Sequence, residues 1–377
     1  MKTPGRIDIA ALCAAAAVMI FLYGAIDYEA EPYSGMDLAY YRAMSEAAPR
    51  LAPEIPRPFA YRILGPYIAG LVPLSDRHAF FLITAAASIL LPVVFYLFLL
   101  EFGISRRSAL LAAILLLFNK HLFGTGVWNF FQVKDSISLL VVTAAFLAML
   151  RSRWLLFSCL LLVGALTGET ALIMAPTLAL YLFERKRPAR DRAAALAGLA
   201  PAAAAFVLIR LLVPATGGEG LADTFLRYSP KLRFPAVWVG LLLNPFVPLT
   251  FIPLLYLRDA LSFLDKNRYM ALYLLLVFAS ALFGSNNERL MAPAAIVFYA
   301  FIGSIAERRW REEPGLWAFI AFCCFASSFH HMMGRYPLPS RSATRTAAAL
   351  TTLLATGASY LFSRSQKGSG FGRNLAP

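Results

Sequence analysis

The 377-residue sequence has few charged residues and few cysteines. Asp, Glu, Lys and Arg make up 15% of the chain, whereas a soluble domain carries about a quarter. The cysteines all lie inside apolar runs, and none has metal-ligand spacing with a histidine. The scarcity of charge argues against a soluble domain, and the cysteines indicate no metal site.

Motifs for soluble cofactors are also missing. The sequence contains neither a P-loop nor a dinucleotide-binding fingerprint. His330 and His331 are adjacent but have no second pair of ligands at metal spacing. No internal repeat is strong enough to indicate an inverted-repeat transporter. The sequence therefore assigns no cofactor with certainty, although it leaves a divalent cation open.

Apolar residues dominate the chain, at 59% of its length. They form runs of membrane-spanning length that are separated by short charged clusters, which predicts an all-α polytopic membrane protein. We expect about ten spans, near residues 7–26, 78–100, 108–124, 133–150, 193–213, 236–257, 269–284, 291–306, 315–332 and 346–363. Residues 1–363 are predicted to form a single transmembrane domain, and the polar, Gly-rich residues 364–377 a disordered cytoplasmic tail.

The run from Trp154 to Phe183 is too long for one span and too short for two. Each half of about 15 residues reaches only about 22 Å, against a hydrocarbon core of about 30 Å. Because both flanks are basic, the run predicts a short re-entrant hairpin whose turn carries Glu169 near the outer leaflet. Backbone that leaves the helix at that depth is covered by protein or faces a cavity, so we expect Glu169 to line a cavity.

The basic residues fall mostly on one side of the predicted spans. With the amino terminus inside, the inner connections hold 20 of the 35 Lys and Arg residues and the outer ones 14. This asymmetry predicts that both termini are cytoplasmic, and it explains the net charge of +14 without a nucleic-acid partner. We expect a bacterial inner membrane as the location.

The first outer loop, residues 27–77, is the part of the chain richest in candidate chemistry. Its string GMDLAYYRAM places Asp37 at the start of a short helix that lies along the membrane surface. In that position the carboxylate can meet a lipid-linked substrate. The alternative is that Asp37 only caps the helix by accepting backbone N–H groups.

A second string in this loop, RPFAYRILGPY, is bounded by Pro58 and Pro66 and is followed by an apolar stretch too short to span a membrane. It predicts a re-entrant or interfacial segment with Arg57, Tyr61 and Arg62 at headgroup depth. A guanidinium group there suits a phosphate bidentately. The alternative is snorkelling to ordinary lipid headgroups.

Further ionisable residues occur near other predicted outer ends of spans. Lys134 and Asp135 open the fourth span, where Asp135 is the kind of residue that caps a helix. Glu169 is an acid within a long apolar run, where ionisable groups are costly and usually functional. Glu288 and Arg289 lie in a compact outer loop. The alternative to a role in a site is that both side chains are simply solvated.

In their order along the chain, these features resemble the GT-C superfamily of membrane glycosyltransferases. The features are the acidic, Tyr-bearing first loop, the PF-x-YR segment, the span that opens with Asp, the Gly-Glu-Thr hairpin and the late Glu-Arg loop. The resemblance implies transfer of a sugar from a polyprenyl-phosphate carrier on the outer side of the membrane. It places the catalytic acid in the first outer loop, at Asp37 or less favourably at Asp27, Glu29 or Glu31.

The expected function is therefore a membrane glycosyltransferase with Asp37 as the general base and a membrane-lipid-linked donor. Substrate contacts are expected from Arg57, Tyr61, Arg62, Lys134, Glu169, Glu288 and Arg289. The acceptor, whether a glycan, lipid or protein, is left open. Two alternatives remain: a polysaccharide polymerase or ligase centred on Arg335, Arg341 and Arg345, and a transporter or flippase, which would place ionisable residues at mid-membrane.

Overall fold

The computed structural model describes residues 4–30, 37–52, 54–217, 221–282, 284, 286–311 and 313–368. These residues are mainly helical, and their β-structure is confined to an isolated bridge between Pro56 and Thr216. The predicted all-α class is confirmed for this part of the chain.

The helices of the first half of the chain differ widely in length. In chain order they are α1 Arg6–Tyr23, α2 Leu38–Ala47, α3 Leu64–Leu71, α4 Asp76–Glu101, α5 Arg106–Leu117, α6 Thr125–Trp128, α7 Val133–Leu150, α8 Trp154–Thr167 and α9 Met174–Glu184. Shorter helical turns lie at Phe59–Tyr61, Lys120–Gly124 and Glu169–Ile173.

The second half continues in the same way. Its helices are α10 Ala189–Ala197, α11 Ala200–Leu212, α12 Leu221–Tyr228, α13 Pro235–Trp238, α14 Ile252–Leu255, α15 Leu257–Lys266, α16 Arg268–Ala281, α17 Asn287–Leu290, α18 Ala295–Arg308, α19 Pro314–Ser327 and α20 Arg341–Gly368. The last helix runs into the predicted tail, of which residues 369–377 lie outside the described residues.

Within the described residues, four helical segments are long and apolar enough to cross a membrane: Arg6–Tyr23, Asp76–Glu101, Val133–Leu150 and Ala189–Leu212. A fifth arises if Arg106–Leu117 and Lys120–Trp128, which meet at a bend of 57°, count as one span. Shorter apolar helices follow at Trp154–Thr167, Pro235–Phe246, Arg268–Ala281 and Pro314–Ser327. By length and composition the chain is an integral membrane protein, but the predicted count of about ten spans is not confirmed.

The predicted span at 236–257 shows why the apolar runs overstate the number of long helices. In the structure this region is divided into α13, two short turns covering Val239–Phe246, and α14. It contains Pro245, Pro248 and Pro253. Proline has no backbone N–H and its ring clashes with the preceding turn, so an α-helix does not run through this spacing.

The predicted hairpin is present as α8, the turn Glu169–Ile173 and α9. With 14 and 11 residues, the two helices reach about 21 and 17 Å. The start of α8 and the end of α9 both lie near Leu150, the last residue of α7. The start of α8 follows Leu150 closely in the chain, and Arg185, just after α9, lines the same cavity as Leu150. The turn that carries Glu169 therefore lies toward the other end of α7, where Lys134 and Asp135 are.

The first outer loop folds onto the bundle as a small apolar unit. Tyr41 and Met44 of α2 are buried in a cluster with Phe80 of α4 and with Phe130 and Val133 at the start of α7. Glycines allow the close approach of these elements. Gly65 of α3 touches Val133, and Gly70 lies against the backbone oxygen of Ser45 in α2. This packing holds the amino terminus of α2 beside the amino terminus of α7.

Candidate functional site

Asp37 occupies the cap position of α2, but its side chain makes no capping hydrogen bond. Instead, Gln132 Nε2 donates to Asp37 Oδ2 over 3.3 Å. Gln132 itself is buried and immediately precedes α7. The geometry thus differs from the capping alternative, because the carboxylate is turned toward the start of α7 rather than toward its own helix.

Gln132 connects Asp37 to a buried ion pair. Arg289 Nη1 donates to Gln132 Oε1, and Arg289 Nε lies 3.5 Å from Asp135 Oδ2. The Arg289 side chain is only 19% exposed, so it is largely withdrawn from solvent, in contrast to the solvated alternative. Asn286 fixes this position by accepting a hydrogen bond from the Arg289 backbone at the start of α17.

Lys134 lies on the other side of Asp135, with 3.6 Å between Lys134 Nζ and Asp135 Oδ1. The two side chains are 15% and 23% exposed. Asp135 is in the first turn of α7, whose cap residue is Gln132. The Asp135 carboxylate therefore contacts two cations, Lys134 and Arg289, whereas the sequence favours a helix cap for it.

A second group of charges surrounds the hairpin turn. Glu169 lies between two arginines, with Oε1 at 3.0 Å from Arg210 Nη2 and Oε2 at 3.9 Å from Arg62 Nη2. The Arg210 guanidinium also lies 4.8 Å from the centre of the Tyr61 ring. The Glu169 side chain is 43% exposed, so it faces an accessible region.

Arg62 joins the hairpin turn to α2. Its Nη1 donates to the Tyr41 hydroxyl over 3.4 Å, and its guanidinium lies 5.4 Å from the Phe59 ring centre. Burial raises the pKa of Tyr41, and the Arg62 charge offsets part of that rise. The Arg62 side chain is 13% exposed, and its Nε is buried with no hydrogen-bond partner in the described part of the chain. It is fixed in the protein, unlike a side chain that snorkels to solvent.

We call this group of residues the site cluster. It contains three carboxylates and four cations: Asp37, Asp135, Glu169, Arg62, Lys134, Arg210 and Arg289. One positive charge is in excess, and the region around the cluster is mostly apolar. Such a cluster favours an anionic ligand, because it can supply cationic donors already held in place.

Two predicted site residues stand apart from these contacts. Arg57 is exposed, and none of the described hydrogen bonds or ion pairs joins it to the site cluster. Glu288 accepts a hydrogen bond from Asn244 Nδ2 over 3.0 Å. Glu288 lies beside the site cluster because Arg289 follows it in the chain. Its carboxylate, however, points to Asn244, in the short turns between α13 and α14.

The other acids of the first loop are less well placed. Asp27 and Glu29 are exposed, and Asp27 accepts a hydrogen bond from the Glu29 backbone over 3.2 Å. Glu31 lies outside the described residues. Tyr41 is buried, and the exposed Tyr40 stacks on Phe59 at 5.0 Å. Tyr41 is thus not available for stacking on a ligand.

The sequence does not predict Gln132, Asp135 or Arg210 as site residues, and it predicts that Tyr41 stacks on a sugar ring, a role that the burial of Tyr41 does not allow. Arg210 had a usable signal, since it is a single charge inside an apolar run. For Asp135 the sequence favours a helix cap and leaves open an ion pair with Lys134, which the structure contains. Gln132 carries no local signal, because its role arises from contacts between distant parts of the chain. Among the described residues, no group of three His, Cys, Asp or Glu side chains is arranged to hold a metal ion.

No protein-family model and no curated protein matches the sequence. The chain is similar to two solved structures from Archaeoglobus fulgidus. One is an oligosaccharyltransferase tethered to an acceptor peptide containing the NVT sequon, with 14% identity and a TM-score of 0.48. The other is the oligosaccharyltransferase AglB in complex with an inhibitory peptide and a dolichol-phosphate, with 15% identity and a TM-score of 0.46.

These matches cover 96% of this chain but only 55% and 56% of the two structures, so the chain spans about half their length. At this level of similarity, the activity has to be argued from the site cluster itself.

Proposed function

We propose that the protein is a membrane glycosyltransferase that moves a sugar from a polyprenyl-phosphate carrier to an acceptor. The observation that carries this proposal is the convergence of three carboxylates and four cations at one end of an apolar helical bundle. A lipid-linked donor brings its phosphate to such a site from the membrane. The order of sequence features resembling the GT-C superfamily points to the same chemistry.

Asp37 is proposed as the general base. An inverting transfer requires a group that accepts the proton of the acceptor hydroxyl as the new glycosidic bond forms. The charges of Asp135 and Glu169 are each balanced by two cations. By contrast, the described partner of Asp37 is the neutral amide of Gln132, and the residue is partly exposed. Asp37 therefore has the most available lone pairs of the three.

Arg62, Lys134 and Arg289 are proposed to hold the donor phosphate. The leaving phosphate gains charge as the bond to the sugar breaks, so fixed cationic donors stabilise the transition state more than the ground state. Arg62 Nε has unused hydrogen-bonding capacity, because it is buried and makes no hydrogen bond within the described structure. Glu169 and Tyr61 are proposed to orient Arg62 and Arg210. Arg57 is proposed to contact headgroups at the rim.

The competing functions receive less support from the contacts. A transporter would place ionisable residues at mid-membrane, and the candidates for such a position, Arg210 and Glu169, form an ion pair with each other beside Arg62. Arg335, which favoured a polymerase or ligase, donates through Nε to the Phe21 backbone oxygen over 2.8 Å. Neither arrangement adds a reason to prefer those functions.

The test is mass spectrometry of lipid-linked sugars and surface glycans in cells with and without the gene. Loss of a glycosyltransferase should leave its donor unspent, so one lipid-linked sugar should accumulate while one glycan loses a sugar residue. Cells that carry the Asp37→Asn variant should show the same pattern. An unchanged donor pool in both strains would contradict the proposal and favour a transporter.

A further inference from the structure

A second polar region lies at the opposite end of the bundle from the site cluster. It is a cavity of about 670 Å³, lined at one side by Leu150, the last residue of α7, and by Phe102 just after α4. Lys134 and Asp135 of the site cluster lie in the first turn of the same α7. The cavity is therefore about one helix length, roughly 25 Å, from the proposed transfer site.

The polar wall of this cavity is basic. Arg185 and Arg187 follow α9, Lys266 ends α15, and Arg308 ends α18. These cations come from three distant parts of the sequence. The general excess of basic residues on one side of a membrane protein explains their presence, but it does not explain their convergence on one cavity.

The acid among the lining residues does not balance these charges. Glu101 accepts a hydrogen bond from Arg151 Nε over 2.9 Å, so its charge is already paired with an arginine outside the lining. Lys266 and Arg308 are exposed and form no ion pair with any residue that the structure describes. The lining therefore holds four cations, and its one acid is already paired with an arginine outside the lining.

Two of the arginines are held in place by neutral partners. Arg185 Nη2 donates to Asn267 Oδ1 over 3.2 Å, and Arg187 Nη2 donates to the Tyr181 hydroxyl over 2.8 Å. Arg187 Nε is buried without a hydrogen-bond partner among the described residues. Fixed guanidinium groups with spare donors are suited to bind a tetrahedral oxyanion, because little side-chain freedom is lost on binding.

The size and the remaining lining agree with a ligand site. Pockets that bind small molecules measure about 300–1,000 Å³ and combine an apolar wall with a few fixed polar groups. Here the apolar wall is Phe102, Leu150 and Phe263, and the buried Ser304 and Asn267 add neutral polar groups.

We propose that this cavity binds a phosphate group, carried either by an anionic lipid headgroup or by a soluble phosphate compound. The site is separate from the transfer site and does not depend on the proposed activity.

The experiment uses the full chain in two kinds of lipid nanodisc. In discs of phosphatidylcholine alone, calorimetry measures binding of inorganic pyrophosphate at fixed ionic strength. In discs with equal phosphatidylcholine and phosphatidylglycerol, native mass spectrometry measures how much phosphatidylglycerol stays bound to the protein. The first measurement reports a soluble phosphate ligand, and the second reports a lipid headgroup.

The test variant is Lys266→Gln with Arg308→Gln, because both side chains are exposed and their replacement leaves the core intact. The matched control is Arg190→Gln with Arg192→Gln, which removes the same charge from α10 at exposed positions outside the cavity lining. A second test variant, Arg185→Gln with Arg187→Gln, removes the fixed pair.

Both test variants should weaken the observed binding by roughly tenfold or more, while the control changes it little. Binding of pyrophosphate would identify a soluble ligand, and retention of phosphatidylglycerol alone would identify a lipid. The proposal is overturned if the wild-type protein binds neither, or if the control weakens binding as much as the test variants do.

Discussion

At the scale of single residues, Asp37 differs from the other acids of the site cluster in the kind of partner it has. Asp135 and Glu169 each contact two cations, while Asp37 accepts a hydrogen bond from the amide of Gln132. A carboxylate with a neutral partner can take a proton without breaking an ion pair. The difference follows from position, because α2 places Asp37 next to Gln132 and not next to Arg289.

Replacement of Asp37 by Asn should cut the transfer rate by about 10²- to 10⁴-fold, the usual contribution of a general base. Donor binding and thermal stability should change little, since asparagine keeps the size and the structure shows no capping bond to lose. The measurement is turnover of a lipid-linked sugar by the purified variant, with donor affinity measured in parallel.

Asp27→Asn is the control for Asp37, because Asp27 is exposed in the same loop. If Asp27→Asn stops transfer and Asp37→Asn does not, the base is assigned to the wrong residue of the loop. If neither variant matters, the glycosyltransferase proposal fails.

Glu169→Gln tests the acid between Arg62 and Arg210. Loss of the carboxylate leaves two guanidinium groups near each other without their common counter-charge. We expect lower turnover, with a loss of about 1 kcal/mol in unfolding free energy because the side chain is partly exposed to solvent screening. Glu46→Gln, which removes a well-exposed acid from α2, should alter neither quantity. Full turnover in Glu169→Gln would make this residue a structural acid only.

At the scale of elements, the contact between α2 and α3 positions Asp37. A Cβ at Gly70 of α3 would collide with the backbone oxygen of Ser45, which cannot move without shifting α2. The two helices thus approach as closely as they do because one of them has no side chain at this position. The sequence marked Gly70 only as part of a short apolar stretch.

Gly70→Ala should therefore displace α2 and reduce turnover at least tenfold, at a cost of about 1–3 kcal/mol in stability, as is usual for overpacking. Thermal unfolding and turnover of the purified variant measure both effects. The matched control is Gly357→Ala in α20, where an added Cβ meets nothing within 4 Å. That change should stabilise the helix slightly, by about 0.5–1 kcal/mol. Equal turnover in both variants would show that α2 does not position the base.

The sequence predicted some elements better than others, for identifiable reasons. The long apolar runs at 78–100, which contains the single proline Pro92, and at 133–150, which contains none, correspond to α4 and α7. The apolar composition of 236–257 predicts one span, but Pro245, Pro248 and Pro253 lie too close together for a continuous helix. Composition alone measures whether a segment is apolar, and it does not measure whether the backbone can stay helical.

At the scale of the whole molecule, the charged residues are sorted between two ends of the bundle. The predicted orientation places the site cluster outside and the basic cavity inside. For the test, the four native cysteines are first replaced by serine, and a single cysteine is then introduced at Ser340 or at Lys186. We expect an impermeant thiol reagent to label Ser340→Cys in intact cells and Lys186→Cys only after the cells are opened. The reverse pattern would invert the orientation.

The candidate site was predictable in part at this scale. The sequence identified Asp37, Arg62, Lys134, Glu169 and Arg289, because charged residues stand out against apolar runs. It could not show that Gln132 links Asp37 to Arg289, or that Arg210 reaches Glu169, since those contacts join residues 41 to 157 positions apart in the chain. It favoured Arg62 over Arg57 as a phosphate ligand, because Arg62 is embedded in an otherwise apolar run, and in the structure Arg62 is largely buried while Arg57 is exposed.

The short hairpin of α8 and α9 has a consequence for the lipid around it. If α8 begins at one surface of a bilayer, its reach of about 21 Å stops about 9 Å before the other surface of a hydrocarbon core of about 30 Å. Such a hydrophobic mismatch is relieved by local thinning of the bilayer beside the short element. Lipid headgroups of the far leaflet are then drawn down toward Glu169 and its two arginines. A carrier that diffuses in that leaflet would thus meet the site cluster from the side, with its phosphate already lowered to the depth of Arg62.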